Sequence, residues 1–152
     1  MTELLLPFIF QLKTYNRLKK LQILIAEDDF DDGEFICESF SNNSFIERVD
    51  WVRNGRELLD FLIASTNKKP DVILTDINMP ILNGIEALEE LSVHSHLSLI
   101  PVFVYSSSIN PTYEKKCKEL GALGYLIKPL DLNMFNEIPN QLINILKTRI
   151  EH

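Results

Sequence analysis

The feature that most constrains the fold is a regular alternation of short apolar runs with segments whose apolar residues recur at helical spacing. Continuous apolar runs of this length, rich in β-branched residues, are typical of strands buried on both faces. Such strands need helices on both sides, so the pattern predicts an open, doubly wound α/β fold with a parallel sheet. Strands are predicted at 21–26, 46–52, 72–75, 100–105 and 123–127, and helices at 30–40, 55–64, 84–93, 111–120 and 132–150.

The first twenty residues differ from the rest of the chain. They hold an apolar run from Leu4 to Phe10, broken by Pro7, and four of the basic residues. The run is too short to span a bilayer, and its positive charge follows it, whereas a secretory signal has positive charge first. We therefore predict a helical extension at 1–20 that packs on this domain or on a second copy, with no stable membrane insertion. The main domain is predicted at 21–150.

Charge and cysteine content narrow the functional classes. The chain has 152 residues, enough for one domain with a full core, and a net charge of −7. That charge argues against nucleic acid as a direct partner. Cys37 and Cys117 fit no metal-binding spacing, and two lone thiols indicate a reducing compartment, which predicts a cytoplasmic protein.

Polar side chains follow four of the five predicted strands. Glu27 and Asp28 follow the first strand, Asp76 the third, Ser106 the fourth and Lys128 the fifth. Because the carboxyl ends of parallel strands meet at one edge of a sheet, these side chains are expected to lie close together. Asp29, Asp31 and Asp32 are expected to form a solvated helix start, and Trp51 to be an ordinary core residue.

The chemistry of these groups predicts phosphoryl transfer. Crowded carboxylates repel one another unless a cation lies between them, and an all-oxygen ligand set suits Mg²⁺, with Mn²⁺ as an alternative. Asp76 can then attack phosphorus and form an acyl phosphate. Phosphoryl transfer needs mainly positioning and charge neutralisation, which Lys128 and the Ser106 hydroxyl would supply.

Four segments resemble the receiver domains of response regulators in two-component phosphorelays, of the single-domain, chemotaxis-regulator-like type. The segments are ILIAEDD, VILTDINMPILNG, PVFVYSS and GALGYLIKP, and the resemblance covers about residues 21–150. It implies a flavodoxin-like sheet with strand order 2-1-3-4-5. The acidic stretch from Glu27 to Asp32 further resembles single-domain regulators paired with phytochrome-like sensor kinases.

The resemblance implies roles for individual residues of the acidic site. Asp76 is the implied phosphoacceptor, and Lys128 is the implied invariant lysine. Asp28, Asp76 and the backbone carbonyl of Asn78 are the implied metal ligands, and Glu27 is expected to reach the metal through water.

The same resemblance implies a conformational switch. Ser106 matches the position that moves toward the phosphoryl group, and Tyr125 matches an aromatic residue that then turns inward. The peptide bond between Lys128 and Pro129 is implied to be cis.

The implied function is a signalling domain whose only chemistry is self-catalysed phosphoryl transfer and autodephosphorylation. A sensor histidine kinase or histidine phosphotransfer protein would supply the phosphoryl group, and a downstream protein would read the result. A homodimer stays open as an alternative, as does a phosphate-independent scaffold with the same fold. A phosphatase of the haloacid dehalogenase type needs a second acid two residues after the nucleophile, where this chain has Asn78.

Overall fold

The computed structural model of the chain describes residues 20–64 and 66–151. The extension predicted at 1–20 therefore lies, apart from Lys20, outside the described residues. The described part contains one five-stranded parallel sheet in the order β2-β1-β3-β4-β5. The predicted fold class and strand order are confirmed. The strands are β1 (Leu21–Ala26), β2 (Ile46–Val52), β3 (Val72–Asp76), β4 (Val102–Ser106) and β5 (Gly124–Ile127).

Five α-helices cover the two faces of the sheet, as continuous apolar strands require. One face packs on α1 and α5 through residues such as Ile36 and Leu142, and we call this the α1–α5 layer. The other face packs on the remaining helices through residues such as Leu58 and Leu88, and we call this the α2–α4 layer. The helices are α1 (Phe30–Ser41), α2 (Gly55–Ile63), α3 (Gly84–Ser92), α4 (Pro111–Glu119) and α5 (Glu137–Glu151).

Side chains at the carboxyl edge of the sheet fix where four of these helices begin. In each case the residue before the helix accepts a hydrogen bond from a backbone N–H of the first turn. Asn83 and Glu86 add the reciprocal bond of a capping box at the start of α3. The capping residues are Asp29, Asn54, Asn83 and Asn110.

Two sequence predictions are wrong in detail. The single final helix predicted at 132–150 is instead a 3₁₀ turn at Leu132–Asn136 followed by α5. The reason is Pro139, which has no N–H to donate and is therefore tolerated in the first turn of a helix but not in its interior.

The second correction concerns the peptide bond between Lys128 and Pro129. No cis peptide bond occurs in the part of the chain that the structure describes, so this bond is trans. The trans isomer is the lower in energy for a residue before proline, by about 0.5–1 kcal/mol. Within residues 20–64 and 66–151, no helix is both long and apolar enough to cross a bilayer.

Candidate functional site at the carboxyl edge of the sheet

The site is built on one face of the sheet. Asp76 ends β3 and pairs in register with Tyr105 on β4. Side chains two residues apart on a strand share a face, so Asp76 continues the line of Leu74 and Tyr105 that of Phe103, both in the α1–α5 layer. Glu27 stands just past β1, two residues after Ile25 of the same layer. Glu27 and Asp76 thus form a row of acids, which we call the acidic row, at the end of an otherwise apolar layer.

Lys128 joins this row to the start of α1. Its Nζ lies 2.5 Å from Glu27 Oε1, 2.9 Å from Asp76 Oδ2 and 3.2 Å from Asp32 Oδ2. The side chains of Lys128, Glu27 and Asp76 are at most 9% exposed. We call these four residues the lysine network. A single buried ammonium therefore faces three carboxylates, an arrangement that leaves excess negative charge.

Burial and the excess negative charge together alter the pKa values of three groups in the site. Burial, followed by the neighbouring charge of Asp76, raises the pKa of Glu27 to about 7, although contact with Lys128 opposes the shift. Burial and then Glu27 also raise the pKa of Asp28 above its usual range. Burial alone would lower the pKa of Lys128, but Asp76 and Glu27 outweigh it, and the pKa is raised. The lysine is therefore charged at neutral pH. Its one positive charge does not balance the acids around it, so a further cation would be stabilised there.

The geometry of the acids fits a divalent metal. Glu27, Asp28 and Asp76 each offer one carboxylate oxygen, and the three atoms lie within 4.8 Å of one another. An all-oxygen donor set without His or Cys suits Mg²⁺ or Mn²⁺. Asn78 also lies at the site, because its backbone N–H donates to Asp76 Oδ1 over 3.3 Å. The part of the metal site assigned to its backbone carbonyl stays a prediction.

The main chain that carries the acidic residues is supported from β2. The Trp51 indole Nε1–H donates to the backbone carbonyl of Glu27 at 2.9 Å, and Arg53 donates to that of Asp28 at 2.9 Å. The Arg53 guanidinium also stacks over the Trp51 ring, 4.9 Å from its centroid. A Cβ on Gly33 would lie 1.9 Å from this ring, so only glycine fits there. Trp51, predicted as an ordinary core residue, is half-buried and supports the site.

Asp76 is held in place by a close approach of α3. A Cβ on Gly84, the first residue of that helix, would lie 2.2 Å from the backbone carbonyl oxygen of Asp76. Any larger residue would push the end of β3 away from the helix. Gly84 is therefore needed for its small size.

The two predicted switch residues lie on the other face of the sheet. Ser106 ends β4 and is buried, and it follows Val104 of the α2–α4 layer at the two-residue spacing that keeps side chains on one face. Tyr125 is half-buried against the same layer, and its hydroxyl donates to the backbone carbonyl of Ser108 over 3.3 Å. Burial raises the pKa of Tyr125, and the Ser106 side chain opposes the shift. Ser106 and Tyr125 therefore lie on the same face of the sheet, opposite the acidic site.

Two residues of the site were not predicted. Asp32 was expected to be solvated, but its carboxylate reaches Lys128 because the first turn of α1 begins beside the acidic row. Tyr105 is fully buried, and its hydroxyl donates to Glu27 Oε1 at 2.7 Å. The available signal was its register: the residue level with Asp76 on the next strand shares its face.

Comparison with known proteins identifies the family. Residues 23–138 match the response regulator receiver domain, and the chain belongs to that family. It is 30% identical over 121 residues to the two-component response regulator ORR3 of Oryza sativa subsp. japonica, covering 80% of this chain and 89% of ORR3. It is 35% identical over 114 residues to a protein-glutamate methylesterase/protein-glutamine glutaminase of Clostridium acetobutylicum. That match covers 74% of this chain but only 32% of the methylesterase.

Solved structures of response regulators have the same fold. The phosphorylated cyanobacterial phytochrome response regulator RcpA superposes with a TM-score of 0.77 at 28% identity, over 85% of this chain and 95% of RcpA. The Mn²⁺-bound form of the response regulator Rcp1 superposes with a TM-score of 0.74 at 28% identity, over 84% of this chain and 96% of Rcp1. The predicted receiver fold and family are confirmed.

Proposed function

We propose that this receiver domain accepts a phosphoryl group on Asp76 in a reaction that requires Mg²⁺. The observation that carries the proposal is the lysine network, in which a buried ammonium contacts Asp76 Oδ2 at 2.9 Å beside further carboxylates. A buried surplus of acids is costly to a fold, so its presence beside a paired lysine favours a functional site over a structural one.

The chain's own residues account for most of the proposed step. An Asp76 carboxylate oxygen forms a bond to phosphorus, and the bond from phosphorus to the donor's imidazole nitrogen breaks, with its electron pair left on that nitrogen. A carboxylate nucleophile carries no proton to remove when it attacks, so the step needs no general base. Lys128 would stabilise the negative charge on the phosphoryl oxygens, and the Ser106 hydroxyl would donate to another of them.

The metal would be held by Asp28, Asp76 and the backbone carbonyl of Asn78, with Glu27 reaching it through water. When bound, Mg²⁺ would supply the positive charge that neutralises the phosphoryl group during transfer. The support for this assignment is the approach of three carboxylates within 4.8 Å of one another. The solved Mn²⁺-bound form of Rcp1 also agrees with a divalent metal in a receiver of this kind.

Signal output would use Ser106 and Tyr125, which lie on the same face of the sheet. Phosphorylation adds roughly −1.5 to −2 charges, which would draw the Ser106 hydroxyl toward the new oxygens. The space that Ser106 vacates would let Tyr125 turn inward, altering the surface formed by β5 and α4. Comparing NMR spectra with and without beryllofluoride, a phosphoryl mimic, tests this step. Unchanged signals from Ser106 and Tyr125 would contradict it.

Membership of the receiver-domain family supports a proposal about the partners of this protein. A sensor histidine kinase or a histidine phosphotransfer protein would donate the phosphoryl group, and a downstream protein would bind the altered surface in the cytoplasm. The similarity to RcpA, a phytochrome response regulator, favours a phytochrome-like kinase as the donor.

We further propose that residues 1–20 form a separate extension that packs on this domain or on a second copy.

The test is intact mass spectrometry after incubation with acetyl phosphate and Mg²⁺. We expect the wild-type chain to gain the mass of one phosphoryl group, and the gain to be lost in Asp76→Ala and in EDTA. Asp60→Ala, which removes an exposed acid on α2, is the matched control and should gain the same mass. If the wild type gains no phosphoryl group and does not bind beryllofluoride, the protein is a phosphate-independent scaffold.

A further inference from the structure

Tyr105 is the one aromatic hydroxyl that reaches the acidic row among residues 20–64 and 66–151. It lies on β4 level with Asp76 and is fully buried. The previous residue on the same face is Phe103, which is also fully buried in the α1–α5 layer. A phenylalanine thus suffices to fill the neighbouring space, so packing alone does not account for a hydroxyl at position 105.

The hydroxyl contacts the oxygen that also binds the lysine. Tyr105 Oη donates to Glu27 Oε1 at 2.7 Å, and Lys128 Nζ lies 2.5 Å from the same oxygen. The other carboxylate oxygen, Oε2, accepts from the backbone N–H of Asp29 at 3.3 Å. Two donors on Oε1 and one on Oε2 fix the rotation of the carboxylate about its last torsion, which is otherwise broad.

The ring of Tyr105 also contacts the lysine directly. Lys128 Nζ lies 4.7 Å from the ring centroid, close enough for attraction between the cation and the ring face. Tyr105 therefore contacts both members of the buried Glu27–Lys128 pair. Its hydroxyl contacts the acid, and its ring contacts the lysine. A Tyr105→Phe substitution would keep the ring and remove only the hydroxyl, which separates the two contributions.

We propose that Tyr105 is a positioning residue that holds the Glu27 carboxylate in the orientation the metal site requires. The proposal rests on the proposed function, because it assumes that the acidic row binds a divalent metal. A hydrogen bond to a charged group is stronger than one between neutral groups, and in a buried site its loss leaves the carboxylate poorly solvated. Without the hydroxyl, only Lys128 and the N–H of Asp29 hold the Glu27 carboxylate, so it turns more freely. Part of the free energy of metal binding must then restore its orientation.

The experiment is calorimetric titration with MgCl₂ of the wild-type chain and Tyr105→Phe, repeated by following the fluorescence of Trp51. Trp51 is the single tryptophan of the chain, and its indole N–H donates a hydrogen bond to the backbone carbonyl of Glu27. We expect the dissociation constant for Mg²⁺ to rise about tenfold, which corresponds to about 1.4 kcal/mol. Tyr113→Phe removes the hydroxyl of an exposed tyrosine on α4 and should leave the constant unchanged.

A double-mutant cycle with Glu27→Ala shows whether the hydroxyl acts through Glu27. In that background, Tyr105→Phe should cause no further loss of Mg²⁺ affinity. An equal loss in both backgrounds, or wild-type affinity in Tyr105→Phe alone, would overturn the proposal. A wild-type chain that binds no Mg²⁺ would instead refute the proposed function.

A second variant covers the case in which Tyr105→Phe does not fold. Glu27→Asp shortens the side chain by one methylene and withdraws the carboxylate from the hydroxyl while keeping its charge. We expect a loss of Mg²⁺ affinity of similar size, about tenfold, or about 1.4 kcal/mol. Affinity equal to that of the wild type would show that the contact with Tyr105 does not matter.

Discussion

The two faces of the sheet carry different kinds of polar group at their carboxyl edge. On the α1–α5 side, the lysine network is buried except at Asp32, and Lys128 contacts its three acids at 2.5 to 3.2 Å. On the α2–α4 side, Tyr125 is half-buried, and its hydroxyl bond to the backbone of Ser108 is 3.3 Å long. The first group is fixed before any ligand arrives, whereas the second is held weakly enough to move.

This difference matches what each group would have to do. Electrostatic stabilisation is effective when charges are already placed, because no energy is then spent on reorganisation during the reaction. A switch, by contrast, needs two arrangements that differ by only a few kcal/mol. The comparison predicts that substitutions on the first face cost much stability, while those on the second cost little and affect signal output.

The largest effect is expected for Lys128→Ala. Removing the ammonium leaves Glu27 and Asp76 buried and unpaired, and breaking such a buried pair costs about 3–5 kcal/mol. We expect this loss in the free energy of unfolding, measured by urea denaturation in EDTA above neutral pH. In the separate assay with acetyl phosphate and Mg²⁺, we expect phosphoryl uptake to be lost. Addition of Mg²⁺ should restore part of the stability.

The matched control is Lys115→Ala. Lys115 is exposed and lies 4.0 Å from Glu119 on the same helix, and exposed pairs at this spacing contribute about 0.3–0.5 kcal/mol. If both lysine variants lose similar stability, the buried network is not the stronger of the two.

An intermediate effect is expected for Gly84→Ala. The added Cβ would lie 2.2 Å from the Asp76 carbonyl, so α3 and the end of β3 must separate. Overpacking of this kind typically costs about 1–3 kcal/mol, and phosphoryl uptake from acetyl phosphate should slow because Asp76 is displaced. Glu90→Ala, at an exposed position of the same helix, should change stability by less than about 0.5 kcal/mol. Unchanged uptake in Gly84→Ala would mean that the backbone of Asp76 adapts freely.

The smallest effect is expected for Tyr125→Phe. It removes one long hydrogen bond at a half-buried position, which should cost about 0.5–1 kcal/mol in urea denaturation. Phosphoryl uptake should match the wild type, since Tyr125 lies outside the lysine network. A loss of stability as large as that of Lys128→Ala would remove the distinction between the two faces.

The sequence allowed the fold and most of the site to be predicted because apolar runs and strand ends are local signals. The bounds of β1 were predicted without error, and Asp76 and Lys128 were placed at the edge where they meet. The trans bond before Pro129 could not be predicted, since both isomers of such a bond differ little in energy. Asp32 was missed because its contact with Lys128 joins residues far apart in the chain, and a solvated helix start has the same local sequence.

The neighbours Tyr105 and Ser106 make the alignment of β4 matter in a way that burial alone does not. A strand with one polar face is locked in place, because slipping by one residue would expose its apolar side chains. β4 is apolar on both faces through Val102, Phe103 and Val104, so a one-residue slip would cost little buried area. It would, however, move Tyr105 and Ser106 each to the opposite face of the sheet. A one-residue deletion just before β4 would therefore put the Ser106 hydroxyl among the acids and the Tyr105 phenol among the helices of the α2–α4 layer.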